Sequence, residues 1–480
     1  MDYKINFYSF VAFDNNFDTD DRAWVPEVWA QEALITLEEN MVVGRLVHTD
    51  FKDEVKDFGD VVNTRKPGEF VAKRKGVNDD VTVQSATADR VQVPLNQHVH
   101  TSFLIRDSEQ SRSMKDLIDE YVKPAAASLA RHIDQILLGQ VYQYLGNTVG
   151  DLGDINSTVG DDHNAKKLIL EVRNVQNKNK APVSGRNFIL TPDTETSILD
   201  LDLFVTADKV GDEGSALREA SLGRKLGYNF FMAQNTPSVT DTGVVDADDI
   251  AAASKGATTV TSDDAGAAGY AVGQYIYFGE TDDKAPYRIT AIAGNILTLN
   301  RGLRRALVNN TDAYLVPMGA VALTEHTAAG GPDAYPSGYD GEIWVDGTGV
   351  PQVGQLVSFN NGATPLAAEY CIITVEDKGT EYAITLDRPL EAALADGYTV
   401  GYGCGGNYNF AFTRGALALV NRPLALPKVQ GVTAGVASYN DLSMRVTMTY
   451  NGEKQGVLVT LDLLCGVKVL DEDQGAILIA

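Results

Sequence analysis

The chain has 480 residues, 44% of them hydrophobic and 22% charged, and 65 acidic side chains against 40 Lys and Arg give a net charge of −25. That length exceeds what one core serves, so two or three domains are expected. No apolar run approaches the ~20 residues of a membrane helix, and so acidic a balance argues against tight nucleic-acid binding, which depends on clustered cations that release counterions. Like charge by itself keeps a protein dispersed and leaves the fold open. The opening "MDYKINFYSFVAFDNNFD" lacks the basic region and small-residue cleavage site of a signal peptide, so synthesis in a cytoplasm is expected. Cys371, Cys404 and Cys465 are too few and too scattered for a disulfide framework and read as reduced thiols.

Residues 1–57 read as an arm containing one helix, because "PEVWAQEALITLEENMVV" spaces Trp29, Ala33, Leu34, Leu37 and Met41 along one face. From Phe58 to Phe103 the period changes to two, in "VTVQ" and in "VQVPLNQHV" with Val91, Val93, Leu95, Gln97 and Val99, which predicts a long hairpin. A two-stranded ribbon is marginal in water by itself, and this one carries Arg65, Lys66, Lys73, Arg74 and Lys75. A neighbouring copy of the chain is the expected support, which makes these five cations candidate intersubunit residues.

The stretch from Ser113 to Leu145 predicts one very long helix, opened by Ser113 with Asp116 three residues on and striped by Met114, Leu117, Ile118, Tyr121, Val122, Ala125, Leu129, Ile133, Ile136, Leu137, Val141 and Tyr144. Pro124 lies inside it, removes one backbone hydrogen bond, and is the expected place of a bend; the competing reading makes it a helix start. Between Asn164 and Pro237 helix and strand alternate: "NAKKLILEVRNVQ" helical, "RNFILTP" extended, "DTETSILDLDLF" helical, "GYNFFMAQNTP" extended. After Asn407 the strand "SMRVTMTY" turns back at Asn451-Gly452 into "VLVTLDLL". The two flanks read as one α+β domain cut open.

Into the cut goes a Gly-, Asp- and Thr-rich region from about Val239 to Gly406 that repeats itself. "VGQYIYFGE" at Val272 is echoed by "VGQLVSFNN" at Val353, "YRITAI" at Tyr287 by "YCIITV" at Tyr370, "TLNRGLRRAL" at Thr298 by "TLDRPLEAAL" at Thr385, and "AYLV" at Ala313 by "GYTV" at Gly397, with Val260 matching Val345. The offsets drift between 81 and 87, as strands correspond while loops change length. Two tandem small β-barrels, with repeats at about 245–318 and 340–403, explain this most simply; one pseudo-symmetric barrel is the alternative.

Motifs for chemistry are weak. Gly401, Gly403 and Gly406 have dinucleotide-loop spacing, but "NYNFAF" follows where a helix N-terminus would have to receive a pyrophosphate. His98 and His100 share a strand face without a third ligand, and His48, His132, His163 and His326 are scattered. "FDTDDR" at Phe17 and "DADD" at Asp246 read as solvated acidic loops. No nucleophile elbow or phosphate loop is present, so neither an enzyme nor a cofactor or metal site is expected.

The order of parts, with "LARHIDQIL" at Leu129, "GRNFILTP" at Gly185, "GRKLGYNFFMAQNTP" at Gly223 and "DLLCGVKVL" at Asp462, resembles the major capsid (coat) proteins of tailed bacteriophages, the Hong Kong 97-type fold, in the branch with an inserted β-barrel domain found in Salmonella-phage coat proteins. The resemblance covers the chain outside the insert. It implies a structural virion protein, with residues 1–57 as N-terminal arm, 58–105 as the extended loop over an adjacent subunit, 106–160 as peripheral domain with spine helix, 161–238 as the first part of the axial domain, and 407–480 as the remainder of both. It further implies hexameric and pentameric capsomers, a scaffolding protein and a portal, an icosahedral shell around double-stranded DNA bound without sequence specificity, no membrane, and assembly in the host cytoplasm. The family branch carries a single barrel where this chain reads as doubled, and the Lys and Asn pair of covalent cross-linking is not located. A different phage structural protein, of tail, baseplate or surface β-module, is the alternative; the very long helix in a split domain has no use there.

Overall fold

A computed structural model describes residues 26–480 except 51–60, 67–71, 76–79, 81–82, 84–88, 108–117, 151–161, 202–221, 241–244, 263–268, 280–282, 323–333, 347–348, 362–364, 396, 428, 430 and 440–441. The chain divides into two units, each assembled from three stretches: 1–40, 98–130 and 422–464 in the first, and 41–97, 131–421 and 465–480 in the second. The result is α+β, with few helices and many strands.

In the first unit, helix α1 (Pro26–Asn40) starts on a proline whose fixed φ suits the first helical position, with Glu27 in the first turn. Trp29, Ala30, Ala33, Leu34 and Leu37 form its buried stripe. That stripe packs on an antiparallel sheet whose ladder runs from Val432↔Thr449 to Tyr439↔Leu442 and then from Arg445↔Asp462 to Asn451↔Gly456. At Gly435 a Cβ would stand 2.6 Å from the Glu27 amide nitrogen, so only glycine lets the helix start this close. The turn after Asn451 is longer than the two-residue hairpin its Asn-Gly suggests. Gly456 is the residue that pairs Asn451, because the Asn451 carboxamide oxygen takes the amides of Glu453 and Lys454 at 3.0 and 3.1 Å and so stabilises a wider loop.

Strands β1 (Val61–Lys66) and β2 (Asp89–Pro94) form a two-stranded ribbon in register Val61↔Pro94 to Lys66↔Asp89. β3 (Gln97–Arg106) does not continue it. The alternating run read through Val99 as one hairpin breaks at Leu95-Asn96, and β3 pairs the long strand Gly456–Val469 instead. Alternation records only that one face is covered; it does not name the partner strand.

The predicted long helix is described from Ile118 to Asn147, in three windings rather than one: a π-turn (Ile118–Val122), α2 (Lys123–Gly139) and a 3-10 segment (Gln140–Asn147). Ser113–Leu117 lie outside the described residues. Pro124 is the second residue of α2, directly after the π-turn, where the missing N–H coincides with the change of winding.

The second unit is built on a mixed sheet of β4 (Thr148–Val149), β5 (Arg186–Leu190), β6 (Arg224–Lys225) and β7 (Tyr228–Met232), joined by two strands from far along the chain. α3 (Asp162–Lys178) and the shorter α4 (Pro192–Leu199) accompany it, and Thr191 caps α4 by accepting the Thr194 amide. Leu168, Ile169, Val172, Phe188, Ile198 and Tyr228 share its core. The rings of Phe188, Tyr228 and Phe230 lie 5.4–6.4 Å apart, each pair adding about 1 kcal/mol beyond its buried area. The fully buried Gln176 of α3 ties the layers together by donating to Ala411 O and accepting from Tyr228 Oη.

At β8 (Ser238–Val239) the chain leaves this sheet. The first inserted module follows as β9 (Val245–Ile250), β10 (Thr259–Thr261), β11 (Tyr275–Phe278), β12 (Asp283–Ala293), β13 (Ile296–Leu299) and β14 (Thr311–Leu315), in the spatial order β10-β13-β12-β11-β14-β9. The second comprises β15 (Met318–Ala320), β16 (Ala334–Tyr335), β17 (Ile343–Asp346), β18 (Leu356–Asn360), β19 (Pro365–Asp377), β20 (Glu381–Leu386), β21 (Leu394–Ala395) and β22 (Thr399–Tyr402). Its main sheet runs β17-β20-β19-β18-β22-β15, the same order strand for strand, while β16 pairs β21. In each module the two edge strands are linked by one bridge, Ile250↔Ser262 and Val321↔Val345. The chain returns in β23 (Gly406–Thr413), where Gly406 and Asn407 pair Val239 and Ser238, so the ends of the insert meet. β23 then lies between β5 and a last strand, β24 (Gly475–Ile479), in the interrupted sheet.

Candidate functional site

Strand pairing defines the internal repeat more sharply than letters do. Tyr275 opposite Arg288 corresponds to Leu356 opposite Cys371, and Tyr277 opposite Tyr314 to Ser358 opposite Gly401. The last strand is therefore displaced by three residues from the match of "AYLV" with "GYTV", and Val260, opposite Leu297, corresponds to Ile343 opposite Ile384 rather than to Val345. Tyr recurs often enough to mislead an alignment that cannot see ladders.

The repeated letters mark a repeated hydrogen-bond scheme. Gln274 Oε1 accepts the Ala271 amide at 3.1 Å while its Nε2 donates to Val316 O at 3.0 Å. Gln355 accepts the Gln352 amide and donates to Gly403 O at the same two distances. Gly273 and Gly354 precede them with φ of 90° and 84°, a conformation only glycine takes without strain. Further along, the Asn300 side chain accepts the Arg288 amide at 3.0 Å and the Asp387 side chain the Cys371 amide at 2.9 Å. The amides of Arg304 and Glu391 donate to the hydroxyls of Tyr287 and Tyr370, and Arg301 and Arg388 lie over those rings at 5.9 and 4.6 Å. The sequence showed the echo "VGQ" and "TLN/TLD"; that these letters are turn clamps needed the tertiary structure.

Asp387 is fully buried, and burial pushes its carboxyl above the ordinary carboxylate range, opposed by Arg388 and by the Cys371 amide. Burial likewise raises the Cys371 thiol well above its usual value and Cys465 to about 12. Buried thiols held protonated are poor nucleophiles. Asp134 on α2 is a second buried carboxyl: it accepts the consecutive amides of Val42, Val43 and Gly44 at 2.8, 3.1 and 3.1 Å.

The remaining sequence candidates are dispersed. Lys73, Arg74 and Lys75 are exposed and outside regular secondary structure, while Arg65 and Lys66 close the β1 side of the ribbon opposite Arg90 and Asp89. His98 lies 3.2 Å from Asp462, which also holds Arg445 through both carboxylate oxygens, and 6.5 Å from the His100 ring. Among the described residues no group of three His, Cys, Asp or Glu could hold a metal. Gly401 and Gly403 serve close packing, since a Cβ on either would stand 2.2 Å from Gly273 O or 2.6 Å from Leu356 Cβ, and Gly406 opens a strand. "DADD" is corrected from loop to strand: it lies in β9, where main-chain pairing to β14 outweighs the poor strand propensity of aspartate. "FDTDDR" lies outside the described residues. No helix among them is long and apolar enough to cross a membrane.

No family model matches the chain, and no curated protein matches it. Among solved structures it is similar to one from Mycobacterium phage Che8, at 13% identity and TM-score 0.41 over 98% of this chain and 97% of that one. It is also similar to the capsid structure of the Cyanophage P-SCSP1u, at 9% and 0.43 over 89% and 85%, and to the mature capsid of bacteriophage PhiM1, at 8% and 0.40 over 100% and 92%.

Proposed function

We propose that the protein is the major capsid protein of a tailed bacteriophage, of the Hong Kong 97 type, which self-assembles through hexameric and pentameric capsomers into an icosahedral shell around double-stranded DNA, with a scaffolding protein and a portal as partners. The observation that carries this reading is the ribbon. β1 and β2 form a sheet of two strands, anchored at its base by the buried Val62 and Val93, and exposed Lys73, Arg74 and Lys75 lie in the connection between them. A ribbon of two strands does not hold itself in water, and the −25 charge of a second copy is the complementary surface for its cations.

Three further features support the reading. The helical path runs from Ile118 to Asn147, an α+β sheet is interrupted and resumed, and each inserted module has its edge strands bridged, as two tandem small barrels would. Electron microscopy of the expressed protein tests the proposal. Closed shells or six- and five-fold capsomers are the expected outcome; tubes or trimers would assign the chain to a tail, baseplate or surface assembly instead.

A further inference from the structure

Both modules bury the same face, each against a different neighbour. In the second module Tyr142 Oη of the 3-10 segment donates to Gly354 O at 2.5 Å, and Asp387 accepts Gln140 Nε2 at 2.7 Å. Gly139, the last residue of α2, comes so near that a Cβ would stand 2.7 Å from that of Asp387. In the first module the same two places meet the second module. Asn360 donates its side-chain amide to Val272 O, and Asn300 donates to Glu369 Oε1 at 3.0 Å. Tyr275 Oη reaches the same Glu369 oxygen at 2.9 Å, and the buried Arg288 guanidinium lies 3.7 Å from it. The residue at the shared position suits what faces it: Asp387 opposes an amide donor, whereas Asn300 opposes a carboxylate that a second acid would repel.

We infer that the modules stack head to tail through one repeated docking face, with the second module as the mount for the first, and that the stack ends at two because the first module lacks the receiving face. On the second module that receiving face is Asn360, Glu369 and Gly401, the last so close that a Cβ would lie 2.2 Å from Gly273 O. The ladder puts Tyr314 in the place of Gly401, and counting along the strands from Tyr275 and Arg288, the counterparts of Leu356 and Cys371, puts Gly279 and Pro286 in the places of Asn360 and Glu369. Tyr314 stacks on Tyr277 at 5.1 Å, so two aromatic rings occupy the place of Ser358 and Gly401. A head-to-tail contact propagates unless its free end is changed, and here the donor amide and the acceptor carboxylate of the receiving face are gone and the glycine gap is filled. The inference is independent of the capsid reading.

Two buried tyrosines report the two joints: Tyr275 for module on module, and Tyr142 for module on helix. Oxidative footprinting of the full chain compares wild type with Gly401→Tyr, which writes the first module's own residue into the joint at the same register, and with Glu369→Ala, which leaves Tyr275 and Asn300 without their acceptor and Arg288 without its ion-pair partner. Labelling of Tyr275 should rise several-fold in both variants while Tyr142 stays protected, and Gln140→Ala should do the reverse. Unchanged protection of Tyr275 in both joint variants, or loss at Tyr142 in step with Tyr275, overturns the stacking.

Discussion

Asp134→Ala should destabilise the protein more at acid pH than at neutral pH. The Asp134 carboxyl is 2% exposed, and burial pushes its pKa from 3.8 to about 6 against the pull of the Val42, Gly44 and Val43 amides and of Arg45. A group whose pKa is raised on folding contributes stability that is complete below its unfolded pKa and lost as pH rises through its folded one. At about 1.36 kcal/mol per pK unit the contribution is roughly 3 kcal/mol, of which about 2 kcal/mol is regained between pH 7.5 and 4.5. The alanine variant lacks that gain. It also leaves the buried amides of Val43 and Gly44 without an acceptor, at about 1–3 kcal/mol each. Near pH 7.5 the lost acceptor and the relieved buried charge oppose each other, so the net loss is about 0–3 kcal/mol; at pH 4.5 it should be about 2 kcal/mol larger. Urea unfolding of both proteins at pH 7.5, 6.0 and 4.5 measures the difference, in which groups common to both cancel. A difference that stays constant with pH, or shrinks on acidification, would refute the raised pKa and with it the view of Asp134 as a charge buried for three main-chain donors.

Deleting Arg65–Arg90 removes the outer ribbon and should leave a folded chain, by circular dichroism, that forms no shells; normal shells would remove the ribbon from the interface. Residues 240–405 expressed alone should give β-type circular dichroism and a cooperative melt, at lower temperature than in the whole protein because Asp387 and Gly354 lose their partners Gln140 and Tyr142; a disordered spectrum would count against two self-contained modules. Pro124→Ala restores a donor where the winding changes from π to α, and should raise the melting temperature of the folded chain. The shift should correspond to well under the ~3 kcal/mol of an interior proline, since Pro124 lies in the first turn of α2. Equal melting temperatures would mean that the proline costs the helix nothing at this position.

Much of this molecule was legible in the sequence because it is local. The helical stripe of "PEVWAQEALITLEEN", the alternation of "SMRVTMTY" and the twin "VGQ" stretches each follow from a period or a copy within a few residues, and main-chain geometry turns such periods into helix or strand. What stayed hidden was always the identity of a distant partner. That β3 leaves the ribbon for a strand more than three hundred residues away, that "DADD" is held extended by β14, that Tyr314 corresponds to Gly401, and that Asp134 serves the amides of Val42–Gly44 are pairings between separate stretches. The sequence by itself determined that a β-rich unit is doubled and inserted into an α+β frame. Only the tertiary structure decided which face of each copy is buried and against what, because hydrophobic periodicity states that a surface is covered, and the covering partner is chosen by shape, charge and hydrogen bonds that meet only in space.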